Sequence, residues 1–120
     1  MARILIVDDE PNILLSLDYL LRKNGFEVKV ARNGSEAIEI INSVWPELLL
    51  LDIMMPDVDG YEICYRIKSS PDTQHMKVVF LSAKSKKSDI EKGLSLGAEL
   101  YLLNPFSNKE ILEKIKMLLP

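Results

Sequence analysis

Four carboxylates fall where chemistry could use them. Asp8-Asp9-Glu10 follows the apolar run Ile4-Leu5-Ile6-Val7, and Asp52 follows Leu48-Leu49-Leu50-Leu51. Carboxylates that converge raise each other's pKa unless a cation holds them. An all-oxygen donor set selects a hard divalent ion. Mg²⁺, which keeps several waters and takes one or two carboxylates, fits better than Zn²⁺. Asp8, Asp9 and Asp52 are therefore candidate metal ligands. After Asp52 comes Ile53-Met54-Met55-Pro56-Asp57-Val58-Asp59-Gly60, a Pro-containing loop that ends in Gly before a helical pattern. Two later apolar runs end in Leu81-Ser82-Ala83 and Asn104-Pro105-Phe106. Taken singly, each of these groups reads as a solvated or helix-capping residue.

They can meet only if the chain's elements bring them together. Apolar runs recur at Ile4–Val7, Val28–Val30, Leu48–Leu51, Val78–Leu81 and Leu100–Leu103. Between them the apolar residues take helical spacing. Ile13, Leu14, Leu17, Leu20 and Leu21 form one such face, and Ala37, Ile40, Ile41 and Val44 a second. Ile63, Cys64 and Ile67 form a shorter one, Ile90, Gly93 and Leu94 a weaker one, and Ile111, Leu112, Ile115, Leu118 and Leu119 the last. Pro11 suits a first helical turn, and Asn24-Gly25 a left-handed helix end. Ser88 with Glu91, and Ser107 with Glu110, read as capping boxes. Strand and helix alternate five times, which predicts an α/β fold: a doubly wound parallel sheet with helices on both faces. Four runs are almost wholly apolar and read as strands buried on both faces. Val28-Lys29-Val30 alternates and reads as an edge. The order 2-1-3-4-5 follows, and it places a crevice at the ends of strands one and three.

The 120 residues are expected to form one domain over 1–120. A 48% hydrophobic and 28% charged composition excludes a disordered, collagenous or coiled-coil chain. The net charge of −3 gives no basic footprint for direct nucleic-acid binding. One cysteine excludes a disulfide framework or a Cys-rich metal site. No apolar stretch approaches the roughly 18 residues of a membrane helix, so a soluble, cytoplasmic chain is expected.

The sequence resembles a response-regulator receiver domain of two-component signalling, of the chemotaxis-receiver-like, flavodoxin-like (βα)5 type, over essentially its whole length. The pieces that carry the resemblance are Ile6-Val7-Asp8-Asp9-Glu10, Leu51-Asp52-Ile53-Met54-Met55-Pro56-Asp57, Asp59-Gly60, Leu81-Ser82-Ala83, Gly97-Ala98 and Pro105-Phe106. The resemblance implies that Asp52 is the phosphoacceptor, served by a sensor histidine kinase. Asp9 and Asp52 would ligate Mg²⁺ directly, Asp8 through water, and Met54 through its backbone carbonyl. Ser82 would be the switch hydroxyl and Tyr101 the aromatic switch. The Asn104–Pro105 bond would be cis. The chain would be a signalling domain and not an enzyme with its own substrate, catalysing only its own phosphoryl transfer and dephosphorylation. The surface of helix four, strand five and helix five would carry a homodimer contact or an effector.

One position departs from the pattern. Asn104 stands where the family nearly always has Lys, just before Pro105. Two readings stay open: an active receiver with a weaker switch, or an interaction module that works without phosphorylation. Lys84, at the rim two residues past Ser82, is a candidate replacement charge. An Asp-nucleophile phosphatase is disfavoured because Met54 stands where such families carry a second Asp. A flavin binder is disfavoured because Asp8-Asp9-Glu10 would repel phosphate. Elsewhere the residues read plainly: Cys64 as a buried thiol, His75 as an exposed loop residue, and Trp45-Pro46 as a plug between the second helix and third strand.

Overall fold

The structure is a computed structural model that describes residues 2–120. In chain order the elements are β1 (Arg3–Val7), α1 (Pro11–Lys23), β2 (Glu27–Ala31), α2 (Gly34–Val44) and β3 (Leu48–Leu51). Then come α3 (Gly60–Ser69), β4 (Lys77–Ser82), α4 (Lys87–Ser95), β5 (Leu100–Leu103) and α5 (Asn108–Leu118). All strand pairs are parallel, in the order β2-β1-β3-β4-β5. This is the doubly wound, flavodoxin-like arrangement that the sequence rhythm predicts.

Strand alternation explains the continuous apolar runs. Ile4, Ile6, Leu48 and Leu50 pack on one face of the sheet with Leu14, Leu17 and Leu21 of α1 and Ile111 and Ile115 of α5. Their neighbours Leu5, Val7, Leu49 and Leu51 point the other way, to Ala37 and Ile41 of α2 and Ile63, Cys64 and Ile67 of α3. A strand with helices on both faces has no wet side. β5 is an exception to the sequence reading. Its run is apolar, yet it is the far edge of the sheet, and Leu103 is 42% exposed.

The helix ends follow local chemistry with one exception. Pro11 opens α1. α1 closes through Gly25 at φ 89°, with Gly25 N–H donating to the Arg22 carbonyl and Phe26 N–H to the Leu21 carbonyl. Ser107 caps α5 by accepting from Glu110 N–H at 3.0 Å. The box expected at Ser88 does not form. α4 begins earlier, with Lys86 as its N-cap and no side-chain capping bond, because the Lys86 carbonyl already accepts from Asp89 and Ile90. Trp45 is a second correction. It ends α2 in the left-handed region at φ 57° and is 47% exposed, so of the Trp45-Pro46 pair only Pro46 is buried. Cys64 is fully buried and its thiol is pushed up to about 11 by that burial. His75 is exposed.

Candidate functional site

β1 and β3 are adjacent, so their ends deliver Asp8, Asp9 and Asp52 to one crevice. Asp52 N–H donates to the Val7 carbonyl at 2.9 Å, which continues the ladder and fixes the height of the acceptor loop. One carboxylate oxygen from each of Asp8, Asp9 and Asp52 lies within 4.8 Å of the others. The crevice is about 300 Å³ and is lined by Asp8, Asp9, Glu10, Asp52, Ser82 and Asn104 among others. Asp8 is buried and Asp52 half-buried, while Asp9 faces solvent.

Electrostatics follow from that placement. Burial, then the charges of Asp8 and Asp9, push the Asp52 carboxyl up to about 7. Burial also raises Asp8, against the Glu10 N–H that donates to it at 2.8 Å. Hard oxygen donors, crowded and poorly hydrated, suit a hard divalent cation. The residues therefore fit the Mg²⁺ that the sequence pattern implies.

The loop from Asp52 to Gly60 is held at both ends. A Cβ on Gly60 would lie 2.2 Å from the Asp52 carbonyl oxygen, so only glycine lets α3 start this close to the acceptor. Gly60 N–H donates to the Ile53 carbonyl at 2.8 Å. Further along, the Asp57 carboxylate accepts from Gly34 N–H, Ser35 N–H and the Ser35 hydroxyl at 2.9, 2.9 and 2.6 Å. The Ser35 hydroxyl is the largest reason the Asp57 carboxyl is held well below the usual range. Met54 sits at the rim between these anchors and is 66% exposed.

Across the crevice, Ser82 ends β4 and is buried. Its Oγ accepts from Lys84 N–H at 3.0 Å, and its carbonyl accepts from Asn104 N–H at 2.8 Å. The Asn104–Pro105 bond is cis. Tyr101, half-buried on β5, donates its hydroxyl to the Lys84 carbonyl at 2.8 Å. Lys84 Nζ lies 3.8 Å from Asp89 Oδ1 and is not among the residues lining the crevice. It lines a neighbouring groove of about 650 Å³ with Asp9, Met54, Tyr61 and Lys92.

All the candidate residues thus come to one end of the sheet. Two that the sequence reading passed over join them. Asp57 is one. Tyr61 is the other: it is buried, donates to the Asp89 carbonyl at 3.1 Å, and is pushed up to about 12 by burial. Tyr61 lies three residues before Cys64, a helical spacing that could have placed it on the buried face of α3. Asp57 stands in the motif after Asp52, but no spacing there points to its partners Gly34 and Ser35.

Comparison with known proteins agrees with the geometry. Residues 4–116 match the family described as the response regulator receiver domain. The chain is 35% identical over 119 residues to the phosphate regulon transcriptional regulatory protein PhoB of Rhizobium meliloti (strain 1021). That match covers 99% of this chain and 52% of PhoB, so the chain spans about half the length of that relative. Among solved structures, the BeF3-activated receiver domain of DrrB is 32% identical with a TM-score of 0.91, over 99% of this chain and 97% of that one. The signal receiver domain of a signal transduction histidine kinase from Syntrophus aciditrophicus is 31% identical with a TM-score of 0.92, over 99% and 90%.

Proposed function

Because the chain belongs to the response regulator receiver family of two-component signalling, we propose that Asp52 accepts a phosphoryl group from a sensor histidine kinase. The observation that carries this is the meeting of Asp8, Asp9 and Asp52 within 4.8 Å at the ends of β1 and β3. An Asp52 carboxylate oxygen bonds to phosphorus as the donor's P–N bond breaks. The freed imidazole nitrogen keeps the electron pair and takes up a proton.

The transition state is loose and highly charged, so positioning and charge neutralisation supply most of the catalysis. Asp8, Asp9, Asp52 and the Met54 backbone carbonyl would hold Mg²⁺. When bound, Mg²⁺ supplies the positive charge that offsets the phosphoryl oxygens. Ser82 Oγ already accepts from Lys84 N–H, so its own proton is free to donate to a phosphoryl oxygen. Lys84 in turn accepts from Tyr101 through its carbonyl. The chain Ser82–Lys84–Tyr101 then carries the event to the face of α4, β5 and α5, where a homodimer or an effector would bind. Residues 1–120 act as the receiver domain, catalysing only their own phosphorylation and dephosphorylation. Among the described residues no helix is long and apolar enough to cross a membrane. We place the domain in the cytoplasm, with no direct nucleic-acid contact of its own.

A second reading is favoured by one observation. No lysine or arginine lines the crevice among the described residues, and Asn104 is neutral. The chain would then be an interaction module with little phosphorylation-driven switching. Acetyl phosphate with Mg²⁺, read by intact mass, separates the two. A gain of one phosphoryl group that Asp52→Asn abolishes supports the acceptor. No gain, or a gain that survives Asp52→Asn, overturns it.

A further inference from the structure

Two tyrosine hydroxyls hold the segment that enters α4. Tyr101 reaches it from β5, donating to the Lys84 carbonyl at 2.8 Å. Tyr61 reaches it from the first turn of α3, donating to the Asp89 carbonyl at 3.1 Å. Phe80 packs against both rings, with centroid distances of 5.6 Å to Tyr61 and 5.8 Å to Tyr101. Gly93 brings α4 down onto this group, since a Cβ there would lie 3.0 Å from ring atoms of both Phe80 and Tyr101. From α4 itself, Lys92 Nζ sits 4.4 Å from the Tyr61 ring centroid.

Tyr61 is also joined to the acceptor loop. It follows Gly60, whose N–H donates to the Ile53 carbonyl and where a Cβ would lie 2.2 Å from the Asp52 carbonyl oxygen. A shift of the loop from Asp52 to Gly60 therefore moves the Tyr61 backbone through a single peptide bond. The Tyr61 side chain passes that shift to the first turn of α4. This route starts at Asp52 itself and avoids both Ser82 and Asn104.

We propose that Tyr61 is a positioning residue that couples the acceptor loop to α4, a second tyrosine tie working in parallel with Tyr101. The proposal rests on the receiver reading for the event that moves the loop. It gives a chain with Asn104 a route to α4 that does not depend on the missing lysine.

The test is Tyr61→Phe in the full chain, which removes the hydroxyl and keeps the ring and its contacts. Amide exchange is measured by mass spectrometry before and after phosphorylation with acetyl phosphate and Mg²⁺. In the unphosphorylated variant, exchange over residues 86–93 should rise roughly fivefold, as expected for one lost neutral hydrogen bond. Exchange in α1 should not change. On phosphorylation, the variant should gain the phosphoryl group as the wild type does, while the exchange change over residues 86–93 shrinks. Tyr101→Phe should shrink it separately, and the double variant should lose more than either. Wild-type exchange over residues 86–93 in Tyr61→Phe, or a phosphorylation response there as large as in the wild type, overturns the proposal. A wild-type protein that takes up no phosphoryl group overturns the receiver reading instead, and the unphosphorylated comparison still decides whether the tie exists.

Discussion

α1 and α4 are held in different ways. α1 buries Leu14, Leu17 and Leu21 against the sheet, and its last turn is closed by two backbone hydrogen bonds around Gly25. Its Arg22 also donates to the Val28 carbonyl at 2.8 Å, tying the helix to β2. α4 buries only Gly93, lacks a side-chain cap, and leaves Leu94 44% exposed. Directional contacts from Tyr61, Tyr101 and the Lys84–Asp89 pair hold its entry instead. A buried leucine is worth about 1.5–3 kcal/mol, whereas a hydrogen bond nets about 0.5–1.5 kcal/mol. A helix fixed by apolar burial stays put. One fixed by a few directional bonds can be released by changing one of them.

The largest test of this contrast is by truncation. Leu17→Ala should cost about 2–5 kcal/mol in urea denaturation, because it opens a cavity under α1. Leu94→Ala should cost less than about 1 kcal/mol. Equal losses would break the comparison.

A second test uses pH, which acts on the crevice and leaves the apolar contacts of α1 alone. Without metal, Asp52 keeps its proton up to about pH 7 in the folded chain, whereas it ionises near 3.9 when unfolded. The folded state binds the extra proton. This contribution is full below about pH 4 and is lost as pH rises through about 7. The thermal midpoint of the metal-free protein should therefore fall over that window. Asp52→Asn should remove most of the fall, on the order of 1–2 kcal/mol once solvent screening of the half-exposed carboxyl is discounted. Adding Mg²⁺ at pH 7 should raise the wild-type midpoint and leave Asp52→Asn nearly unmoved.

Giving α4 what it lacks should narrow the difference. Lys86→Ser supplies an N-cap acceptor and should stabilise the protein by about 0.5–1 kcal/mol. Amide exchange at the start of α4 should slow, and its response to phosphorylation should diminish. A faster exchange there would count against the capping argument.

The smallest effect on folding is expected from Asn104→Lys, under about 0.5 kcal/mol at this exposed position. It should nonetheless enlarge the phosphorylation-dependent exchange change around Tyr101. If it does nothing and Lys84→Ala abolishes the response, Lys84 supplies the charge and the Asn104 argument fails.

The sheet was legible because strands covered on both faces leave runs such as Leu48–Leu51 with no polar residue. The same rule misjudged only the burial of β5: the order 2-1-3-4-5 puts that strand at the edge, and Leu103 there is exposed despite the apolar run. The acidic cluster was legible because strand order alone brings the ends of β1 and β3 together. Asp57 and Tyr61 were not. Apart from the Ser35 hydroxyl on Asp57, their partners are backbone groups 22 to 28 residues away, and a backbone N–H or carbonyl leaves no mark in a sequence. Ser88 was misread for a related reason. Its S-x-x-E spacing is local, but α4 starts two residues earlier, at the Lys86 carbonyl that accepts from Asp89 and Ile90 N–H.

Cys64 gives the molecule a clock. Its thiol is fully buried, and its Sγ lies 3.8 Å from the Leu96 carbonyl at the end of α4. A thiol-reactive reagent cannot reach it while α3, α4 and the sheet stay together. Its modification rate therefore counts how often that side opens. As the chain's one cysteine, it needs no engineering, and the count can be taken on the native protein with and without the acetyl phosphate that loads Asp52.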